Sequence, residues 1–488
     1  MQRGLYLGFD VGTQGTKALV IDTHAGAIVA RASSSYGLIE GLAPGHAEQH
    51  PDTWWRALRE TTAALGERCD LRQVAGLAVS GQQHGCVVLD AAGEVIRPAK
   101  LWCDTSTALE ARELSNALGR EIPAGFTASK LVWLKRHEPL HWARVELVLL
   151  PHDWVNYKLT GLATMEPGDA SGTGWFETRE RRFSARALAA IDARMPSLLP
   201  PLIESGSVAG ELTADGARWI GLPRECVGAL VATGGGDNMM SAIGSGATRE
   251  GLAVVSLGTS ATVFAHAPRP IDDPSGSIAP FCDSSGGWLP LVCLMNATGV
   301  LEEVRAAFGG TLDDLTRAAR EVERGAQGVT FVPFLMGERV PNLPQASGTL
   351  LGLRPGTLRA GHVFRAALEG VALNLAGGVN RMRELGLAVD DVRLVGGGAR
   401  NVLWRSILAE ALAARVSVLA ETESGALGAA LQAAWTVARV RGARLALHDF
   451  AAPWVKLEGA AIEPSSEGTA RYADLRRAFA EHVRRLHG

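Results

Sequence analysis

No stretch of this 488-residue chain is apolar for long enough to span a bilayer. The N-terminus does not read as a secretion signal either, because Asp10 interrupts its apolar stretch too early. A basic excess is also missing. The chain has 48 Lys and Arg against 51 Asp and Glu, a formal charge of −3, which argues against a nucleic-acid partner. The six cysteines (Cys69, Cys86, Cys103, Cys226, Cys282 and Cys293) include no CxxC pair. That usage fits reduced, mostly buried thiols in a cytoplasmic protein rather than a metal, redox or nucleophilic set. Low-complexity segments and long linkers are absent as well. What is left is ordinary globular composition, 47% hydrophobic and 20% charged, in a chain too long for one core, so two or more domains are expected.

One further absence directs the functional reading. The usual phosphate loops run from a strand into a helix, whose N-terminus holds the anion. The turn in "LGFDVGTQGTKALVID" (7–22) instead leads into Ala18, Leu19, Val20 and Ile21, which favour a second strand, so the unit reads as a hairpin. "LAVVSLGTSATVFA" (252–265) repeats the pattern just past the midpoint. Aligning the turns sets Gly12-Thr13 against Gly258-Thr259 and Asp10 against Ser256. The chain therefore reads as an α/β protein of two related halves, divided near 244–251 where glycine and small polar residues break the pattern.

A Gly-Thr turn presents backbone N–H groups and a hydroxyl to a phosphate, and its glycine permits close approach. Two such turns, one from each half, would grip a polyphosphate from opposite sides. Asp10 would repel phosphate but suits Mg²⁺, and its uncharged counterpart Ser256 assigns the metal to the N-terminal half. The alternative is that both are plain hairpins whose glycines serve the turn alone. A third cluster, Gly396, Gly397 and Gly398, opens a helix near Asn401 and is expected to pack against a nucleoside or its phosphates.

"LVATGGGDNMMSAIGSGA" places Asp237 after three glycines and ahead of a helix. It reads both as a helix N-cap and as a general base, with the glycines clearing room for a substrate hydroxyl. In "LAVSGQQHGCVVLD" the loop residues Gln82, Gln83 and His84 suit a polyhydroxylated ligand, since they both donate and accept. Trp102 and Asp104 of "KLWCDTST" pair a ring face with a carboxylate, as a sugar site would.

These stretches resemble the FGGY carbohydrate kinase family, and within it the branch that phosphorylates xylulose, from "GFDVGTQGTK" to about residue 438. "GFTASKLVWLKRH" (125–137) and "GTLLGLRPGTLRAGHVFRAALE" (348–369) match the family's signature patterns throughout. The resemblance implies two ribonuclease-H-like lobes, as in actin and hexokinase, with a cleft that closes on MgATP and a sugar. It assigns residues 1–247 to sugar binding and the base, and 248–488 to the nucleotide.

Asp237 then matches the catalytic base and Asp10 the Mg²⁺-associated aspartate. Gly12, Thr13, Gln14, Lys17, Gly258 and Thr259 face the phosphates, and Gly397, Gly398 and Asn401 the nucleoside. Gln83, His84, Trp102, Asp104, Asp237 and Asn238 face the sugar. The implied reaction phosphorylates a pentulose, D-xylulose at O5 first, with ribulose, another ketose or a polyol such as xylitol as alternatives. Some relatives carry Met at the place of Gln83, and relatives often have Asn and Arg at those of Cys103 and Ser106, departures that bear on which sugar is bound. A rival of another class is an actin- or Hsp70-like ATPase with no sugar acceptor. A homodimer is left open.

Overall fold

The computed structural model describes residues 4–488, which form two compact units. The first comprises the chain up to Thr248 together with Phe281–Trp288 and Glu423–Trp454; the second comprises Arg249–Pro280, Leu289–Thr422 and Val455–Gly488.

In the first unit, β1 (Leu5–Val11), β2 (Gly15–Asp22) and β3 (Ala27–Ser35) form an antiparallel meander. On its other side β1 pairs in parallel with β4 (Val74–Gly81). The sheet ends with β5 (Val208–Glu211) and β6 (Leu230–Ala232), in the order β5-β6-β4-β1-β2-β3. Every residue of β4 is buried, as expected for a parallel strand covered on both faces, whereas the edge strand β3 is mostly accessible. Leu7, Phe9, Val11, Leu77, Val79, Trp54 and Trp154 fill the core beneath it, each such side chain contributing about 1.5–3 kcal/mol on burial.

The second unit repeats the arrangement. β7 (Gly251–Leu257) and β8 (Ala261–Ala265) form the hairpin, β9 (Trp288–Leu294) pairs antiparallel with β8, and β10 (Val389–Val395) and β11 (Arg415–Val418) follow in parallel on the far side of β7. The likeness extends to an irregularity. The parallel register slips by one residue at Leu5/Tyr6 against β4, and at the aligned step Gly251/Leu252 against β10. The two turns differ only in length: Gly12 N donates to Gly15 O, but Gly258 N donates to Ser260 O, each at 3.0 Å.

A division at 247/248 would leave Glu423–Trp454 in the second half, yet this segment packs within the first unit. The reason is close backbone approach. The helix Ser424–Val440 lies on β1 at Gly8, where a Cβ would strike Ala426 O and Ala430 N. It also crosses the helix Asp237–Gly244, where a Cβ on Gly428 would strike Met240 O and one on Gly244 would strike Ser424 O. Because these obstacles are backbone atoms, Gly428→Val is expected to destabilise the protein by about 3 kcal/mol or abolish soluble expression. Thermal unfolding of the purified variant checks this.

Candidate active site

Three chain segments reach the same end of the first sheet. Asp10, near the end of β1, pairs with Ser80 on β4; Ser80 and Gly81 in turn pair with Gly235 and Gly236, and Asp237 follows directly. The carboxyl ends of adjacent parallel strands thus present Asp10, the Gln82–His84 loop and Asp237 together, where open α/β sheets bind ligands.

Asp10 is a half-buried carboxylate with sparse compensation. Its Oδ1 accepts from the Ser80 hydroxyl at 2.7 Å, while the nearby Lys17, opposite it on β2, is drawn to Glu423 at 2.7 Å. Burial raises its pKa, with Ser80 and Lys17 working in the opposite sense. Room for the carboxylate comes from Gly425, where a Cβ would lie 2.7 Å from Asp10 Cγ and Oδ2.

The Gly12-Thr13 turn is held from behind. Gln49 donates to Thr13 O at 2.7 Å, and its Oε1 accepts from Gln82 and from Trp54, each at 2.9 Å. Tyr36 donates to Gly12 O at 2.8 Å. The Thr13 hydroxyl donates to Gln82 Oε1 and accepts from Trp102 Nε1, so it is engaged by the protein. Gln14 and Lys17 are exposed beside it. Gln82 is wholly buried in turn support and does not face a ligand. Its neighbour Gln83, in the turn that follows the strand, reaches Asn238 instead.

Asp237 is the first residue of its helix, and Gly236 occupies the cap position. The N-cap role expected of Asp237 is therefore not filled by its side chain. Its Oδ1 accepts from the Asn238 backbone at 2.8 Å and from Asn238 Nδ2 at 3.1 Å, and Nδ2 also reaches Gln83 Oε1 at 2.9 Å. The Gln83 amide nitrogen is buried with no hydrogen-bond partner among the described residues. Desolvation, then the negative charges of Asp10 and Asp169, push the Asp237 carboxyl up to about 7, against the donors at Asn238. The preceding glycines make room for protein rather than directly for a ligand. A Cβ on Gly236 would lie 2.6 Å from Gln83 Cγ, one on Gly235 would strike Ser284, and Gly234 has φ 68°.

His84, at φ 66°, lies between Phe126 and Phe281, with ring centroids 4.9 and 6.0 Å away. Its carbonyl accepts from the buried Lys130 at 2.7 Å, and burial brings that ammonium down to about 7. Lys130 belongs to the "GFTASKLVWLKRH" stretch and fixes the loop's backbone.

Asp104 is placed differently from the sugar-facing expectation. It is fully buried, with Oδ2 accepting from Ala47 N and Lys100 Nζ and Oδ1 from Ser106 N and Oγ. Burial opposes its charge, but Ser106, the Ala47 N–H and Lys100 outweigh that and hold its pKa below the ordinary range. His46, Glu48 and Asp104 come within metal-ligand distance of one another, yet Lys100 Nζ sits among them at 3.2, 3.0 and 3.1 Å. An ammonium already fills the place a cation would take. Trp102 is tied to Thr13, 36% exposed.

In the second unit Gly258 and Thr259 are exposed, their carbonyls accepting from Thr298 N and Ala297 N at 2.9 and 3.0 Å. Gly397 is exposed, and a Cβ there would meet nothing within 4 Å. Gly398 is buried against Trp404 and Leu257, and Asn401 caps the helix Val402–Leu412 through Trp404 N while donating to Thr316. Of that cluster, only the Gly396–Gly397 backbone stands open; Gly398 and the Asn401 amide serve packing and capping.

None of the six cysteines is in a disulfide, and burial raises Cys86 to about 11 and Cys282 to about 12, which suits inert thiols. Among the described residues no helix is long and apolar enough to cross a membrane.

Both sheets therefore have the strand order of a ribonuclease-H-like ATPase domain, with an acidic, amide-rich end on the first. The chain belongs to the FGGY family of carbohydrate kinases: the family's N-terminal domain matches residues 5–244 and its C-terminal domain residues 253–437. A xylulose kinase of Haemophilus influenzae is 37% identical over 449 residues, 88% of this chain and 90% of that one. One from Streptomyces coelicolor is 40% identical over 441 residues, 88% and 87%. The crystal structure of a xyloylose kinase from Brucella ovis superposes with a TM-score of 0.90 at 32% identity, covering 99% of each chain.

Gln49, Tyr36, Glu423, Gly425 and Thr298 escaped the sequence reading, since each acts on a segment distant along the chain. Gln49→Leu is expected to leave Gln82, Trp54 and the Thr13 carbonyl without their partner and to cost about 2–3 kcal/mol, read as a lower urea midpoint with an unchanged m-value.

Proposed function

We propose that the protein transfers the γ-phosphoryl group of MgATP to a terminal hydroxyl of a pentulose, D-xylulose at O5, with Asp237 as general base. The observation that carries this reading is the Asp237–Asn238–Gln83 array. A carboxyl poised near neutrality is coupled to a buried amide whose nitrogen has no protein partner, as a polyhydroxylated acceptor requires. The names of the relatives support the same substrate.

Asp237 would take the proton of the attacking hydroxyl at a carboxylate oxygen, while Asn238 holds Oδ1 and orients the group. Gln83 and His84 bind the remaining hydroxyls, and the flanking Phe126 and Phe281 keep water from that side of the imidazole. In the first unit the Gly12-Thr13 turn, stiffened by Gln49 and Tyr36, offers backbone N–H groups to phosphate oxygens; the second unit by itself carries an exposed turn of the same kind at Gly258-Thr259.

The residues present fit a magnesium ion. Asp10 is a hard, half-buried oxygen ligand that no cation among the described residues pairs with directly, and Gly425 leaves space at its Oδ2. When bound there, Mg²⁺ supplies charge neutralisation to the phosphates. Sugar binding and the base are thereby assigned to the first unit.

ADP release measured over a panel of pentuloses, hexuloses and polyols tests the substrate. D-xylulose is expected to give the highest kcat/KM and a stoichiometric sugar phosphate. ATP turnover indifferent to every sugar would favour a plain ATPase. Asp237→Asn is expected to lower kcat by about 10²–10⁴ while nucleotide binding persists.

The sign of the pH dependence follows from the raised pKa. The base works only when deprotonated, so kcat/KM is expected to fall as pH drops through about 7, and an acid limb is expected in a pH–rate profile. Gly425→Val, which would push Asp10 aside, is expected to raise the Mg²⁺ concentration needed for half-maximal activity by tenfold or more.

A further inference from the structure

Behind the strand ends that present Asp237 lies a buried ionic group that the chemistry above does not use. His152, second residue of the helix Pro151–Thr160, places Nδ1 2.6 Å from Asp169 Oδ2 and Nε2 3.1 Å from Asp153 Oδ1. All three side chains are at most 1% exposed. Asp153 Oδ2 accepts from Leu150 N, whereas Asp169 Oδ1 is buried with no hydrogen-bond partner among the described residues. Sealing a histidine and two carboxyl groups from water is costly unless each is well paired.

The location ties the group to Asp237. A Cβ on Gly81 would lie 2.9 Å from His152 N and Cβ, so the imidazole's own backbone abuts β4 at its last residue. Gly81 is the ladder partner of Gly236, which immediately precedes Asp237, and Gln83 lies two residues beyond Gly81. Asp169 belongs to the short helix Pro167–Ala170. That turn is locked by Glu166, which accepts from Asp169 N, Gly168 N, Ser205 and Ser284, and Ser284 also lies against Gly235. The ionic group therefore braces, from one side, the three-residue lead into Asp237.

We propose that the His152–Asp169 pair is a positioning and charge-setting device for Asp237, acting through the Gly81–Gly236 ladder and through the field of its charges. This inference rests on Asp237 being the base.

The sign of each effect is fixed by the groups around it. Asp237 feels Asp10 and Asp169 as like charges; Asp10 is in turn offset by Lys17 and reinforced by Glu423. His152 is flanked by Asp153, Asp169 and Glu166. Burial opposes its charge, but those carboxylates prevail and raise it to about 9, so it is cationic at neutral pH. Asp153 is itself pushed up to about 7 by burial. Removing the negative charge of Asp169 takes a like charge from Asp237 and should ease its ionisation, with Asp153 and Glu166 still beside the imidazole. Removing the imidazolium should hinder it.

The test is the pH dependence of kcat/KM for D-xylulose at saturating MgATP, from pH 5.5 to 9, in the full-length protein and its variants. Asp169→Asn is expected to move the acid limb down by about 0.5–1 on the pH scale, and His152→Gln to move it up by a similar amount. His152→Lys, which keeps the cation, is expected to restore the original limb. Thermal unfolding identifies any variant that does not fold. If His152→Gln is lost in this way, Asp169→Asn and His152→Lys still give opposed expectations, one shifted and one not. Coincident limbs in folded Asp169→Asn and the parent would overturn the proposal and reduce the pair to a structural brace. An Asp237→Asn variant with substantial turnover would instead remove the reading on which it rests, so the two failures are distinguishable.

Discussion

Parallel pairing of the central strands of the first sheet is the constraint from which the site follows. Hydrogen bonds between β1, β4 and the Gly235–Gly236 extension force three strands to end side by side, so that the residues leaving them share one small volume. Two of those residues are carboxylates. Bringing Asp10 and Asp237 into a desolvated place together is unfavourable, and Asp169 adds a third charge of the same sign. The cost is spread over donors that hold each carboxylate in a set orientation: Ser80 for Asp10, Asn238 for Asp237 and His152 for Asp169. A carboxyl raised in this way is a better base near neutral pH than one free in water, since its affinity for a proton is greater.

Glycine is the means by which the backbone tolerates this crowding. Its role at Gly425, Gly236 and Gly81 is one of space: each faces a functional or supporting side chain at a distance no Cβ would permit. At Gly8, Gly244 and Gly428 the neighbour is another segment's backbone, and the result is the capture of the helix Ser424–Val440 by the first unit. The same helix carries Gly425 beside Asp10 and follows Glu423, which holds Lys17. Fold and site therefore depend on one packing contact, and a substitution that moves this helix should disturb both.

The duplicated strand order shows how one architecture was given two electrostatic characters. The same hairpin, with the same register slip, ends in Asp10 in one unit and Ser256 in the other. Only the first is surrounded by Ser80, Lys17, Glu423 and a second acidic residue. A cation is attracted by the first arrangement, and the second leaves exposed backbone with little fixed charge, which suits phosphate.

The sequence by itself determined the local elements and the family. The apolar runs on either side of Gly12-Thr13 and Gly258-Thr259 specify hairpins, because periodicity and turn chemistry act over a few residues. The position of Asp237 at a strand-to-helix junction was legible for the same reason. Tertiary structure alone decided which polar side chains are spent on support. Gln82, Asp104, Asn401 and the Thr13 hydroxyl read as ligand-facing by type, but each is taken up by partners up to 89 residues away along the chain. Whether a donor is free depends on what lies across from it in space, and a local pattern holds no record of that. The same applies to Glu423 and Gly425, which only the packing of a late helix onto the first strand brings to Asp10.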